Sequence, residues 1–237
     1  MLVKQNRDNY WMLNWLDQFM IGHKGFICGG CFKNIFMKQP VKDLDIFFKC
    51  EADFEEAVKY FDSQTAGYID YSGDKLSEDL AEYIFLYENK NVKAYVHKKT
   101  KLRIELCSKI YGTPEEILNE FDFTIVKFAY IKDEIEDVTG ADIDSEVREE
   151  EFDVPDLETH IEYKILMHDK FFEHLHLNRL VIDDKIPFPM STLERAFRYA
   201  KYGYSPCKET KVKLAKALNN MPEQAIEVAD SLYDGMD

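Results

Sequence analysis

Apolar positions in residues 9–20 (NYWMLNWLDQFM) recur at mixed spacings of three and four, which predicts an amphipathic helix. Gly22 and Gly25 bracket a turn, and KGFIC reads as a short strand running into Gly29-Gly30. Residues 31–37 predict a short helix, stopped by Gln39-Pro40. KDLDIFFKC alternates and is rich in Ile and Phe, the pattern of a strand. DFEEAVKYFD over 53–62 predicts a helix with Asp53 as its N-cap. Residues 66–110 are mostly extended, with VKAYVHK and KLRIELC forming a hairpin about Lys99-Thr100. Thr113-Pro114-Glu115-Glu116 predicts a helix start: Thr113 caps, Pro114 suits the first position, and Glu116 completes a capping box. FDFTIVKFAY is another β-rich run. Residues 158–180 and 192–202 read as helices, the second opened by Ser191 with Glu194 and closed by Gly203. Helices at about 208–219 and 222–233 finish the chain.

The pattern predicts an α+β fold in three parts. A head of mixed sheet and flanking helices spans 1–135, an acidic connector 136–160, and a small helical domain 161–237. A chain of 237 residues with 46% hydrophobic and 32% charged side chains can bury a sizeable core, which excludes wholesale disorder. No apolar run approaches the roughly 18–20 residues that cross a bilayer. The N-terminal MLVKQNRDNYWMLNWL is broken by Lys4, Arg7, Asp8 and Asn9, unlike a signal peptide. Five cysteines, an odd number, read as reduced thiols. A cytoplasmic protein is expected.

The net charge is −15, unevenly placed. Residues 131–160 hold 13 acidic and two basic side chains, whereas residues 191–220 hold seven Lys or Arg against two Glu. The acidic belt fits either a solvated connector or a cover for a basic surface. The overall balance argues against nonspecific wrapping of nucleic acid.

Candidate chemistry concentrates in Gly29-Gly30, twelve further residues, and then Asp43-Leu44-Asp45. Residues two apart on a strand face the same way, so Asp43 and Asp45 project together while Leu44 and Ile46 enter the core. Paired carboxylates repel, and a divalent cation with phosphates in its shell relieves that repulsion. Two glycines upstream let backbone approach a triphosphate. Glu105, in the strand-like Leu102-Arg103-Ile104-Glu105-Leu106, supplies a third acid. The bland reading leaves Asp43 and Asp45 on a wet sheet face and pairs Glu105 with Lys93 or Lys101. The glycines, the strand context and the third acid favour the catalytic one.

These residues resemble the head of the DNA polymerase β-type nucleotidyltransferases, in the version of poly(A) polymerases and CCA-adding enzymes. That family carries Gly-Gly-x-Val-Arg-Asp, then Asp-x-Asp at the interval seen here, then an acid in a pattern like Ile104-Glu105-Leu106, then an Asp-Phe-Thr-Ile unit like Asp122-Phe123-Thr124-Ile125. The likeness covers roughly residues 20–130. It implies metal-dependent transfer of an NMP from an NTP to an acceptor hydroxyl, with release of pyrophosphate. Asp43, Asp45 and Glu105 would bind Mg²⁺ or Mn²⁺, with Glu105 also helping to deprotonate the acceptor. Gly29, Gly30 and Lys33 would meet the triphosphate, and Asp122 the nucleotide sugar. The chain departs from the family at Phe32-Lys33-Asn34, at Glu120-Phe121 and at Val126. It also lacks a Glu-Asp-x-x-Arg base-reading motif after Thr124, which argues against CCA addition. The Phe-Asp-Phe-Thr pattern, with Arg195 and Lys201-Tyr202-Gly203-Tyr204, is more similar to compact nucleotidyltransferase-like proteins of phages and some bacteria. An RNA end, a protein side chain and a small alcohol all fit as acceptor. Asn34, Glu120 and Val126 favour the alternative of a nucleotide-binding or protein-interaction module without turnover.

Three further signals stand apart. Cys28-Gly-Gly-Cys31 has the spacing of a zinc or redox pair but no second pair follows, so structural cysteines flanking a phosphate loop are expected ahead of a redox dithiol that disables the loop on oxidation. His168, His174 and His176 do not share a helical face and read as surface or capping residues. Arg195, Arg198, Lys201 and Tyr202 follow spacings of three and four, with Leu193, Phe197 and Ala200 opposite them entering the core. The stripe fits equally a nucleotide-contacting wall, with Tyr199 or Tyr202 as a stacking face, and a solvated basic face.

Overall fold

Alternating strands and short capped helices assemble around one large sheet. The structure is a computed structural model and describes residues 1–69, 73–136, 159–183 and 185–222. In chain order the elements are β1 (Leu2–Asn6), a kinked 3₁₀ segment (Arg7–Phe19), β2 (Phe26–Cys28), α1 (Cys31–Phe36), β3 (Asp43–Phe47), α2 (Glu51–Ser63), β4 (Tyr83–Glu88), β5 (Val92–His97) and β6 (Arg103–Cys107). Then follow α3 (Pro114–Asn119), a 3₁₀ turn (Thr124–Val126), β7 (Phe128–Glu136), β8 (Thr159–His168), α4 (Phe171–His176), β9 (Arg179–Leu180), α5 (Pro189–Lys201), β10 (Ser205–Pro206) and α6 (Lys208–Asn219). Eight strands form a mixed sheet in the order β1-β8-β7-β2-β3-β6-β5-β4, and β9 pairs with β10 apart from it. Only β3 and β6 run parallel within the large sheet. Parallel neighbours need a long crossover. Here α2 lies in that crossover, burying Ala57 and Phe61.

Alternation along the central strands divides the core in two. Leu44, Ile46, Ile104 and Leu106 lie in the larger cluster with Phe32, Phe61, Phe128 and Phe171. Phe47, Cys107, Cys28 and Ala129 belong to a smaller cluster, closed by Ile117 and Leu118 of α3. Asp43, Asp45 and Glu105 alternate with the first set and share the side of the second. Aromatic packing ties the helices to the sheet: Phe128 stacks on Phe32 at 4.4 Å and meets Phe171 at 5.0 Å between centroids. Arg7 donates to Asp17 (2.7 and 2.9 Å) and to Tyr130 (2.8 Å), which pins the 3₁₀ segment to β7.

Several expectations are corrected. The span 158–180 is not one helix, because 159–168 is β8, paired with both β7 and β1. The sheet therefore continues beyond the expected connector into residues assigned to the helical domain. The run read as β-rich at 121–130 is interrupted by a 3₁₀ turn at Thr124–Val126, and β7 starts only at Phe128. The N-terminal segment is 3₁₀, broken by the φ −126° of Tyr10. The cap of α2 is Cys50, with Asp53 in the first turn, and Pro189 opens α5 so that Ser191 lies inside it. The capping box of α3 is present as expected: Glu116 N–H donates to Thr113 Oγ1 (3.3 Å) and Thr113 N–H to Glu116 Oε2 (2.8 Å). Gly203, with φ +91°, follows α5. Within α5, Phe197 and Ala200 are exposed, and Thr192 and Ala196 are buried in their place. His168 and His174 are buried rather than superficial, His174 Nδ1 sharing a 2.8 Å hydrogen bond with Thr124 Oγ1, and only His176 is exposed. All five cysteines are free thiols. Most of the acidic belt and the helix expected at 222–233 lie outside the described residues. Among the described residues no helix is long and apolar enough to cross a membrane.

Two predictions follow from the core. His23 is buried; its ring accepts from Gly25 N–H at 3.0 Å and donates to Phe19 O at 2.8 Å, which fixes the neutral form. Burial pushes its pKa down to about 4. The unfolded chain binds this proton near pH 6.5, so stability is complete above that value and falls as pH drops toward 4. The loss amounts to roughly 3 kcal/mol. Urea titrations of the wild type and His23→Gln across that window check it, the variant losing this part of the slope. Phe128→Ala is expected to cost about 3–5 kcal/mol, read as a lower urea midpoint at unchanged m-value.

Candidate active site

The parallel register of β3 and β6 makes the site. Asp45 pairs with Glu105 and Asp43 with Arg103, so four charged residues stand on one face of two adjacent strands. The row extends both ways: Cys28 of β2 pairs with Asp45, Ala94 of β5 with Glu105, and Tyr87 of β4 with Ala94. Like charges side by side on a sheet destabilise it. Burial, reinforced by the charges of Asp43 and Glu105 and opposed by Arg103, pushes the Asp45 carboxyl up to about 7.

Arg103 compensates the cluster. Its Nη2 donates to Asp43 Oδ2 at 2.8 Å. Its Nε lies 2.8 Å from Glu105 Oε1 but is not aligned as a hydrogen bond, so that contact is ionic. Tyr87 Oη donates to the same Glu105 oxygen at 3.1 Å. Among the described residues neither lysine expected as a partner of Glu105 pairs with it: Lys93 bonds Asp62 at 2.9 Å, and Lys101 is exposed. Among the described residues no three acidic, His or Cys side chains close on one point as metal ligands. With Arg103 holding Asp43 and Glu105, that closure is not made.

Gly29 adopts φ +105°, and a Cβ there would meet Asp45 Oδ2 and the Phe121 ring, both at 3.5 Å. The glycine turn therefore abuts the carboxylates directly. Gly29 N–H already donates to Phe128 O at 3.0 Å. Gly30 precedes α1, and a Cβ on it would sit 3.6 Å from Tyr199 Oη. Tyr199 brings α5 over this turn.

Other expected site residues form the wall made by α5. Lys33 is buried; it donates to Asn34 Oδ1, and its Nζ lies 5.5–5.7 Å from the ring centroids of Tyr199, Tyr202 and Tyr204. Burial pushes its pKa down. Arg195 grips Asp122 Oδ2 through Nε (2.8 Å) and Nη2 (2.6 Å), while Asp122 Oδ1 accepts from Phe123 N–H (2.8 Å). Asp122, expected near a nucleotide sugar, is buried and locks α5 to the head. Lys127, also buried, reinforces the junction by donating to Asp183 at 2.8 Å. Arg198 and Lys201 are exposed, as is Tyr202 at its rim.

The structure thus brings Asp43, Asp45, Glu105 and Gly29 together, and places Gly30, Lys33, Asp122, Arg195 and Tyr202 around α5. Sequence reasoning missed two residues of the carboxylate cluster. Arg103 was signalled by its place two residues before Glu105 on the same strand. Tyr87 had no signal without the strand pairing.

The sequence matches, over residues 6–178, the family described as Gad2: Gabija anti-defense 2 family protein. No curated protein matches the chain. Solved structures share the fold at low identity. A Thermotoga maritima CCA-adding enzyme complexed with tRNA is 14% identical with a TM-score of 0.53, and a CCA-adding enzyme with ATP is 14% identical with a TM-score of 0.56. Each alignment covers 92% of this chain and 46% of the other, so the chain spans a little under half the length of these structures. The architecture is a nucleotidyltransferase-like α+β fold. Because the family match runs from the first 3₁₀ segment through α4 and takes in all three carboxylates, the chain belongs to the Gabija anti-defense 2 family.

Proposed function

We propose that this chain is a metal-dependent nucleotidyltransferase, moving an NMP from an NTP to an acceptor hydroxyl with release of pyrophosphate, in the service of the anti-defence role its family is named for. The observation that carries the reading is the register: Asp45 beside Glu105, with Asp43 on the same face and Gly29 against Asp45. The fold shared with CCA-adding enzymes, one of them solved with ATP, supports an NTP as substrate.

The donor set fits a hard divalent cation, Mg²⁺ or Mn²⁺: the donors are all carboxylate oxygens, and the Asp45 carboxyl, raised first by burial and then by its like-charged neighbours, is a charge that a cation would offset. Asp43 and Asp45 would hold it, with Glu105 joining once Arg103 lets go. When bound, such an ion offsets charge on the reacting phosphate and the leaving pyrophosphate. The chain's own groups do the rest. Glu105 takes the proton of the acceptor hydroxyl. The glycine turn brings no side chain of its own between the triphosphate and β3. Arg198 and Lys201, exposed on α5, draw in the polyanion, Lys33 meets it once released from Asn34, and Tyr202 offers a ring to the base. Asp122 and Arg195 act by holding α5 in place over Gly30.

One arrangement favours a second reading, a nucleotide-binding or interaction module without turnover: Arg103 already satisfies Asp43 and Glu105, and Asn34 already occupies Lys33. The two readings separate cleanly. With Mg²⁺ or Mn²⁺ and each of the four NTPs labelled at the α-phosphate, a transferase labels some RNA, protein or small molecule of a cell extract. Calorimetric NTP binding without label transfer supports the module, and absence of binding counts against both.

Two predictions test the site. Asp43→Asn or Asp45→Asn is expected to lower label transfer by about 100-fold or more while the folded spectrum is retained. In EDTA at pH 8, Asp45→Asn is expected to stabilise the fold by about 1–2 kcal/mol, because a repelled, half-buried charge is removed. Arg103→Met is expected to destabilise it, leaving three carboxylates without their counter-ion. Thermal melts read both, at roughly 2–4 °C per kcal/mol.

A further inference from the structure

Among the described residues, Tyr87 is the one hydroxyl side chain bonded to the proposed base. It sits on β4, an edge strand of the sheet, two strands from Glu105, a separation of roughly 9–10 Å between backbones. Two features let it bridge that gap. The pairing of β4 with β5 shifts between Phe85 and Tyr87, a bulge that leaves Leu86 without a partner and sets Tyr87 opposite Ala94. Bulges re-aim side chains in this way. Ala94, with a single methyl, lies between Tyr87 and Glu105 in the cross-strand row, so the phenol passes over it. The Tyr87 hydroxyl then reaches Glu105 Oε1 at 3.1 Å while the side chain stays 39% exposed, accessible to a nucleotide.

We infer that Tyr87 is itself a nucleotidyl acceptor, so that the chain attaches a nucleoside monophosphate to its own β4 edge. This rests on the nucleotidyltransferase reading above and names one acceptor for it, a phenolic hydroxyl. In the step, Tyr87 Oη attacks the α-phosphorus of the NTP. An Oη–P bond forms, the bond from the α-phosphorus to the oxygen bridging the β-phosphate breaks, and pyrophosphate leaves with that electron pair. The phenolic proton passes to the Glu105 carboxylate and on to water. The product is a tyrosyl phosphodiester at the mouth of the site, where its bulk and negative charge stand beside Asp45 and Glu105. Modification thereby blocks a second nucleotide, making the reaction self-limiting at one nucleotide per chain.

The test incubates the full chain with Mn²⁺ and each of ATP, GTP, CTP and UTP labelled at the α-phosphate, alone and with a cell extract. Label is read on the protein by intact mass and peptide mapping. The expected result is a single added NMP mapped to Tyr87, lost in Tyr87→Phe and reduced about 100-fold or more in Glu105→Gln, both variants keeping the wild-type circular dichroism. Label appearing in extract molecules but never on the protein, or on the protein at another residue, overturns the inference and leaves the transferase reading standing. Label appearing nowhere overturns both. A readout free of turnover is phenol-selective nitration of Tyr87 with and without Mn²⁺ and a non-hydrolysable ATP analogue. Protection of Tyr87 on binding supports its place at the nucleotide, and unchanged reactivity while calorimetry shows the analogue bound overturns it.

Discussion

Three carboxylates on adjacent strands, in a row that the backbone register enforces, are the constraint around which this sheet is arranged. Asp45 and Glu105 cannot be moved apart without breaking the β3–β6 pairing, and that pairing is parallel, which requires a crossover through α2. The cost of gathering like charges falls on one face only. On the other face Leu44, Ile46, Ile104 and Leu106 are completely buried, and their burial holds the strands in register against the repulsion. Arg103 lowers the remaining cost from within β6, bonding Asp43 and lying against Glu105. Alternation thus lets the same ten residues of two strands carry both the core and the charge.

The second structural element of the site is the attachment of α5. One buried carboxylate, Asp122, takes two contacts from Arg195 and one from the Phe123 amide. Breaking one partner of such a buried pair leaves an uncompensated charge, so the contact is costly to open. Phe123 also meets the Tyr199 ring edge-on at 5.8 Å. The wall that covers Gly30 is therefore fixed to the segment following α3 rather than resting on surface contacts. Lys33 lies in the angle between α1 and this wall, under three tyrosine rings that offset part of its desolvation.

Legibility in the sequence tracked how far each feature depends on local pattern. β3 and β6 alternate strictly and were readable, as were the α3 capping box and the order of the three acids. β8 was not readable. Ile165, Leu166 and Met167 form a continuous apolar run because β8 lies between β7 and β1 and is buried on both faces, with Leu166 in one cluster and its two neighbours in the other. A run of that kind matches a helix as well as a strand until its partners are known. The same limit applies at the site. Arg103 was visible on the face of Glu105, whereas Tyr87 reaches Glu105 only through a bulge and an alanine on an intervening strand. The burial of His174 and Asp122 was not readable for a related reason. Their partners, Thr124 and Arg195, are distant in sequence, and those bonds are what permit the burial.

Electrostatics adds a condition on any nucleotide reading. A chain of net charge −15 repels a triphosphate at long range, and the three carboxylates repel it at short range. Within a Debye length of about 8 Å at physiological salt, however, local charge outweighs the total. The segment 191–220, with seven basic and two acidic side chains, contains the helix that lies over Gly30. Arg198 and Lys201 are exposed on that helix with their charges facing water, while Arg195 and Lys33 are spent on internal contacts. The surroundings of the glycine turn are thus positive on the α5 side and negative on the β3–β6 side. On the proposed reading, such a division matches a ligand that is itself divided, an anionic phosphate chain accompanied by a cation, better than a free polyanion. It also accounts for keeping Arg103 between the carboxylates: without a cation from outside, the sheet needs one of its own.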